Sequence, residues 1–157
     1  MLNEIDIEVT GLDELDKAMS RFTAEFNRTA MREGVEAAAA FLAAKAQQKA
    51  PLVSKNFGSR KPGELRNSIG VVLRKLSADY PEYTNAWVCP VYGTSGASDP
   101  NQDPGYWGQY VEFGSEHNPV PEPYLRPAFD EGASAAVNIF VQTVSKFFNQ
   151  NTGGDGI

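Results

Sequence analysis

The chain holds one histidine and one cysteine, so nucleophilic chemistry has few places to start. His117 follows Ser115 by two residues in "FGSEHN", and Cys89 stands alone. A serine or thiol nucleophile needs an adjacent base held in place by a third group. No such pattern surrounds either residue, and no Gly-x-Ser-x-Gly elbow occurs. Neighbouring carboxylates occur at Asp13 and Glu14, Glu112 and Glu116, and Asp130 and Glu131. Glycoside hydrolysis needs two carboxylates flanking a sugar cleft, and nothing here selects a pair. Asp130 and Glu131 are expected in the first turn of the last helix, where the helix dipole favours acids. The run "DPNQDPG" from Asp99 offers oxygen ligands without EF-hand spacing. A single cysteine excludes an internal disulfide and any cysteine-based zinc cluster. It fits a reducing, intracellular setting best. No glycine-rich stretch has the strand-to-helix context and Lys-Ser/Thr pair of a phosphate loop. The basic cluster Lys55, Arg60 and Lys61 includes one aromatic, Phe57, which is thin for a nucleic-acid groove. No catalytic, metal or cofactor site is expected.

Charge is segregated along the chain. Residues 1–27 carry seven acids and two bases, 28–75 ten bases and three acids, and 76–157 ten acids and two bases. Solvated faces on separate elements would explain this. A protein with one basic and one acidic surface would explain it too, and could stack on copies of itself. Net acidity argues against duplex DNA as the main ligand, since DNA affinity rests on phosphate neutralisation. The N-terminal residues lack the basic and apolar runs of a secretory signal. No apolar stretch approaches the roughly 20 residues that cross a bilayer, so no membrane role is expected.

The 157 residues suit a single domain. "EIDIEV" (Glu4–Val9) alternates acids with apolar residues, the period of a half-buried strand. Leu12, Leu15, Met19, Phe22 and Phe26 then follow at helical spacing. An alanine-rich helix from Thr29 to Lys49 is stopped by Pro51, with a bend or split near Asn27 or Gly34. Its alanines predict close packing on a sheet, or less simply a dimer seam. Residues 52–63 and 92–105 read as extended loops. Strands are expected over Ser68–Lys75 and Asn85–Val91, with Pro90 at an edge and a hairpin connection over 77–83. "YWGQYVEFG" reads as a short helix or irregular segment. A final helix covers about Arg126 to Asn149, and residues 151–157 form a fraying tail. The order predicts one α+β domain over 1–150. Its antiparallel sheet of about 3–5 strands is packed by a long N-terminal helix and a C-terminal helix.

Four ordered motifs carry a family resemblance: the helix ending in "AKAQQKAP", then "GELRNSI", "YVEFGS" and "PEPYLRPAF". Together the motifs resemble those of tail-completion, or head–tail joining, proteins of long-tailed bacteriophages and prophages, the minor tail protein Z type. Gly63, Leu65, Ser68 and Ile69 match the second motif. Tyr106, Tyr110, Val111, Glu112, Phe113 and Gly114 match the third. Pro121, Pro123, Tyr124, Leu125, Arg126, Pro127 and Ala128 match the fourth. Ser115 and Tyr124 depart from the Thr and Phe of the family pattern, and the 92–105 insert is long for it. The resemblance implies a non-enzymatic virion protein made in the host cytoplasm and built into the neck. It implies a ring, expected to be hexameric, around a channel that DNA crosses without specific recognition. The implied partners are head connector or head-closure proteins and the tail tube or tail terminator. A tail terminator or other tail-assembly factor is the alternative, and a small enzyme fits least.

Four further expectations follow from the residues. Arg126 should pair with a carboxylate, Glu112 first. Lys55, Arg60 and Lys61 should serve assembly rather than folding. Pro119, Pro121 and Pro123 should stiffen an extended crossing. Tyr110, Phe113, Tyr124 and Phe129 should bury that crossing against the sheet.

Overall fold

The computed structural model describes residues 12–52, 61–74, 85–96, 98–117 and 119–151. The expected strand at Glu4–Val9, the pair Lys55 and Arg60, the connection at 77–83 and all of the expected 151–157 tail but Asn151, which ends the last helix, lie outside the described residues.

The first half is one long helical rod. Helix α1 spans Leu12–Glu25, a π-helical stretch covers Phe26–Met31, and α2 runs Arg32–Lys49. Glu25 and Arg32, which flank the π stretch, keep right-handed helical dihedrals. The expected break therefore takes the form of a change in winding. No proline occurs between Leu12 and Ala50 to remove a donor or clash with the preceding turn. A π turn inserts a residue and rotates the side chains that follow. Phe26 here meets the rings of Phe147 and Phe148 at 6.1 and 4.9 Å. Ala50 turns extended before Pro51 and ends the rod.

The last helix, α5 (Leu125–Asn151), runs antiparallel along α2. Lys49 pairs with Glu131 at 2.7 Å at one end, and Phe26 meets Phe147 at the other. Two glycines allow the approach. A Cβ on Gly132 would lie 2.8 Å from Leu42, and one on Gly34 would lie 2.8 Å from the Phe140 ring. Gly34→Ala should therefore cost about 1–2 kcal/mol despite its better helix propensity, because the ring must shift. A urea denaturation curve measures this.

In chain order a small sheet comes between the two long helices, and it packs on α2. Helix α3 (Glu64–Ser68) leads into β1 (Ile69–Leu73), which pairs antiparallel with β2 (Ala86–Pro90). The register runs from Ile69 opposite Pro90 to Leu73 opposite Ala86. Two strands are present among the described residues, fewer than expected, and one further candidate strand lies outside them. Gly63 starts α3 with φ +79°, and its N–H donates to Leu52 O at 2.7 Å. That bond closes the base of the 52–63 loop. The loop at 92–105 ends earlier than expected, in a 3-10 turn (Pro100–Gln102) and then α4 (Pro104–Phe113).

The core gathers Ala43 and Ala46 of α2 and Ala50 just after it with Leu65, Ile69, Trp107, Val111, Tyr124 and Ala128. The small α2 side chains admit both the sheet and α5. Gln47 reaches from α2 to donate to Ile69 O at 2.8 Å. Complete burial of Leu65 or Ile69 contributes about 1.5–3 kcal/mol each. Among the described residues no helix is long and apolar enough to cross a membrane.

Candidate functional site

The motifs converge where α4 meets the start of α5. Glu112, near the end of α4, is fully buried. Its Oε2 accepts the N–H groups of Tyr124 at 2.6 Å and Leu125 at 2.7 Å. Its Oε1 accepts the Arg126 N–H at 3.1 Å and Nε at 2.9 Å. Arg126 Nη2 also donates to the Glu112 carbonyl at 2.8 Å. One carboxylate thus holds the N–H groups that begin α5, where the helix dipole is positive. The pairing expected between Arg126 and Glu112 is present.

Electrostatics follow from this geometry. Burial alone would push the Glu112 carboxyl up. The N–H groups of Leu125, Tyr124 and Arg126, with the Arg126 side chain, outweigh it and hold the group below the usual carboxylate range. Its stabilisation is therefore complete above the unfolded glutamate value of about 4.3 and is lost as pH falls through the depressed folded value. Unfolding stability should hold from neutral pH to about 5 and then drop, and Glu112→Gln should flatten that acid limb. Denaturation midpoints measured from pH 7 to pH 3 check it. The Tyr124 hydroxyl is pushed well up by burial and by the Glu112 charge, so it stays a donor. It donates to Gly108 O at 3.2 Å.

The other motif residues support this clamp. Gly108 packs where a Cβ would lie 2.7 Å from Pro90 and 3.1 Å from Leu65. Leu65 and Ile69 are buried beneath it, and the Ser68 hydroxyl donates to Leu65 O at 2.8 Å. Tyr110 lies edge-on to Tyr106 with ring centroids 5.6 Å apart. Gly114 ends α4 at φ +80°, its N–H donating to Tyr110 O at 3.0 Å. The crossing that includes Pro119, Pro121 and Pro123 is tied to α4 by the Glu122 N–H, which donates to Val111 O at 2.8 Å. Pro127 sits in the first turn of α5, where a missing N–H costs little.

Three expectations are corrected here. Phe113 and Phe129 are exposed, at 66% and 41%, rather than buried against the sheet. Phe113 follows the inward-pointing Glu112 by one helical step, so it turns outward, under the Arg126 guanidinium at 5.2 Å. Asp130 and Glu131 lie in the second turn of α5, because the helix begins at Leu125. The acid that complements its dipole is Glu112, from another helix.

Asp103 was not among the expected site residues. It caps α4, accepting from Gly105 N–H at 2.8 Å, and it also accepts from Gly93 N–H at 2.9 Å and Ser95 Oγ at 3.0 Å. Burial pushes its carboxyl up, but these bonds from Gly105, Gly93 and Ser95 bring it below its ordinary value. Asp followed by Pro at N1 is a helix-start signal that could have found it. Trp107, 4% exposed, donates its indole N–H to Gln102 O at 3.1 Å.

The chemistry-bearing residues do not assemble. His117 is exposed. Cys89 is half-buried, and burial pushes its thiol up, away from the reactive thiolate. Among the described residues no group of three or more His, Cys, Asp or Glu side chains could hold a metal ion. Lys61 is exposed at the foot of the 52–63 loop.

A family model described as "Bacteriophage HK97-gp10, putative tail-component" matches residues 13–114. The match covers the helical rod, both strands and α4, and stops before the Pro121–Ala128 motif. No curated protein and no solved structure matches the chain.

Proposed function

The chain belongs to the HK97-gp10-like family of bacteriophage tail components, and from that premise we propose that it is a structural protein of the phage neck. In this reading it completes the proximal end of the tail and joins it to the head connector, as one subunit of a ring around the DNA channel. The observation that carries the reading is an outward apolar stripe along α5. Phe129, Val137 and Val141 are 41%, 60% and 51% exposed. Ala133 lies between the first two at the same helical phase. A contiguous apolar strip on an isolated chain marks a surface that another protein covers. Ring closure by identical subunits requires two unlike faces that match. The basic middle and acidic ends of the chain supply unlike charge for such faces.

Lys55, Arg60 and Lys61 belong to the assembly surface in this proposal. Replacing all three by Gln should lower the yield of joined particles about tenfold at low salt, with the gap to wild type narrowing at higher salt, since rim charges act chiefly through steering that salt screens. The melting curve should stay within about 0.5 kcal/mol of wild type, as for other surface substitutions. In vitro joining of purified heads and tails provides the assay. Unchanged joining would remove these residues from the interface.

A further inference from the structure

The two-stranded sheet leaves β2 with an open side. Arg74 N–H donates to Asn85 O at 3.1 Å, and Val91 N–H donates to Ser68 O at 2.8 Å. With the observed register, Gly70 and Val72 bond across to Cys89 and Trp87. Ala86, Val88 and Pro90 therefore turn their backbone groups away from β1. Pro90 has no N–H to leave unpaired there, which suits an outer edge. No described strand covers it.

An open groove of about 540 Å³ borders this strand. Trp87, Tyr92 and Phe113 line it and are 58%, 60% and 66% exposed. Two arginines accompany the aromatic walls. Arg74 lies 5.8 Å from the Trp87 ring, and Arg126 lies 5.2 Å from the Phe113 ring. A two-stranded sheet is marginal until more strands or packing complete it. The groove thus offers an unpaired edge and an apolar floor.

The chain contains one segment of matching chemistry. Glu4, Asp6 and Glu8 alternate with Ile5, Ile7 and Val9. Its own sheet is out of reach. The rod from Leu12 to Gln47, which bonds β1, is about 50 Å long at 1.5 Å per residue. Phe22 lies 6.1 Å from Phe148, near the end of α5 remote from the groove. The three peptide steps from Val9 to Leu12 span at most about 11 Å.

We propose that the Glu4–Val9 segment of one copy adds as a third strand along the outer edge of β2 in a second copy. Its isoleucines seat in the groove, and its carboxylates point to the opposite face of the sheet. Backbone pairing supplies the affinity of such strand addition, and alternate side chains supply its specificity. Donor and acceptor are different surfaces, so the contact runs head to tail and can close a ring. It rests on the ring reading for its biological setting, while the contact itself is a property of the purified chain.

The test uses Cys89, which lines the groove and is the only native cysteine. Full-length Ile5→Cys and Ile7→Cys variants are exposed separately to a mild thiol oxidant with no other protein present. At least one should give disulfide-linked dimers and longer species, reversed by reductant and lost when Cys89→Ser is added. Independently, the pair Ile5→Asp and Ile7→Asp should weaken self-association at least about tenfold, with an unchanged melting curve. The proposal is overturned if neither cysteine crosslinks, if links form only within one chain, or if they persist with Cys89→Ser. Neck placement is read separately, by labelling joined particles. Crosslinked copies that never reach the neck would sink the neck reading alone. Chains that reach the neck without crosslinking would sink the strand exchange alone.

Discussion

Glu112→Ala should lower unfolding stability by about 3–4 kcal/mol, the largest loss expected from any single exposed-or-buried polar change in the chain. The variant removes the acceptor for three backbone N–H groups at Tyr124, Leu125 and Arg126. Two of those bonds are shorter than 2.8 Å. The donors cannot recover partners within the start of α5, whose first N–H groups have no helical acceptor. Domains of this size have a total stability of about 5–15 kcal/mol, so much of the margin would go. Arg126→Ala should cost less, about 1 kcal/mol, because its side chain is 56% exposed and solvent screens the pair. Glu112→Gln should fall between them, since its amide oxygen can serve only some of the donors. Urea denaturation of the three variants orders them. Equal losses for Arg126→Ala and Glu112→Ala would show that the ion pair, not the capture of backbone N–H groups, holds the crossing.

Val137→Asp with Val141→Asp should abolish joining while leaving the fold intact. Both side chains already face water in the isolated chain, at 60% and 51% exposure, so the unfolding curve should move by less than about 1 kcal/mol. In the assembled particle the same change would place two carboxylates in an apolar contact, each costing several kcal/mol if left unpaired. A drop of at least about 100-fold in joined particles corresponds to only about 2.8 kcal/mol. Counting infectious or joined particles after adding variant protein to tails measures it. Joining at the wild-type level would mean that α5 faces solvent in the virion.

Several features of the site were legible in the sequence, and the reasons differ residue by residue. Helical spacing located α1 and α5, and Pro51 marked the end of α2. Arg126 and Glu112 announced their pairing because opposite charges in neighbouring motifs have few other partners. The capture of Tyr124 and Leu125 N–H was not legible, since a backbone donor carries no residue-type signature. Phe113 and Phe129 misled because aromatic character suggests burial, whereas helix phase decides which way a side chain points. Asp130 and Glu131 misled for a related reason: the true start of α5 depends on Glu112, a residue from another helix. The π winding at Phe26–Met31 leaves no marker such as proline. Phe26 there meets Phe147 and Phe148 of α5, a tertiary contact that local sequence does not display.

The most direct test of the neck assignment is a cryo-EM reconstruction of the assembled head–tail junction. A closed ring of this chain is expected between connector and tail tube, with the α5 stripe covered by a neighbouring protein. Density for the chain only at the distal tail, or its absence from finished particles, would contradict it.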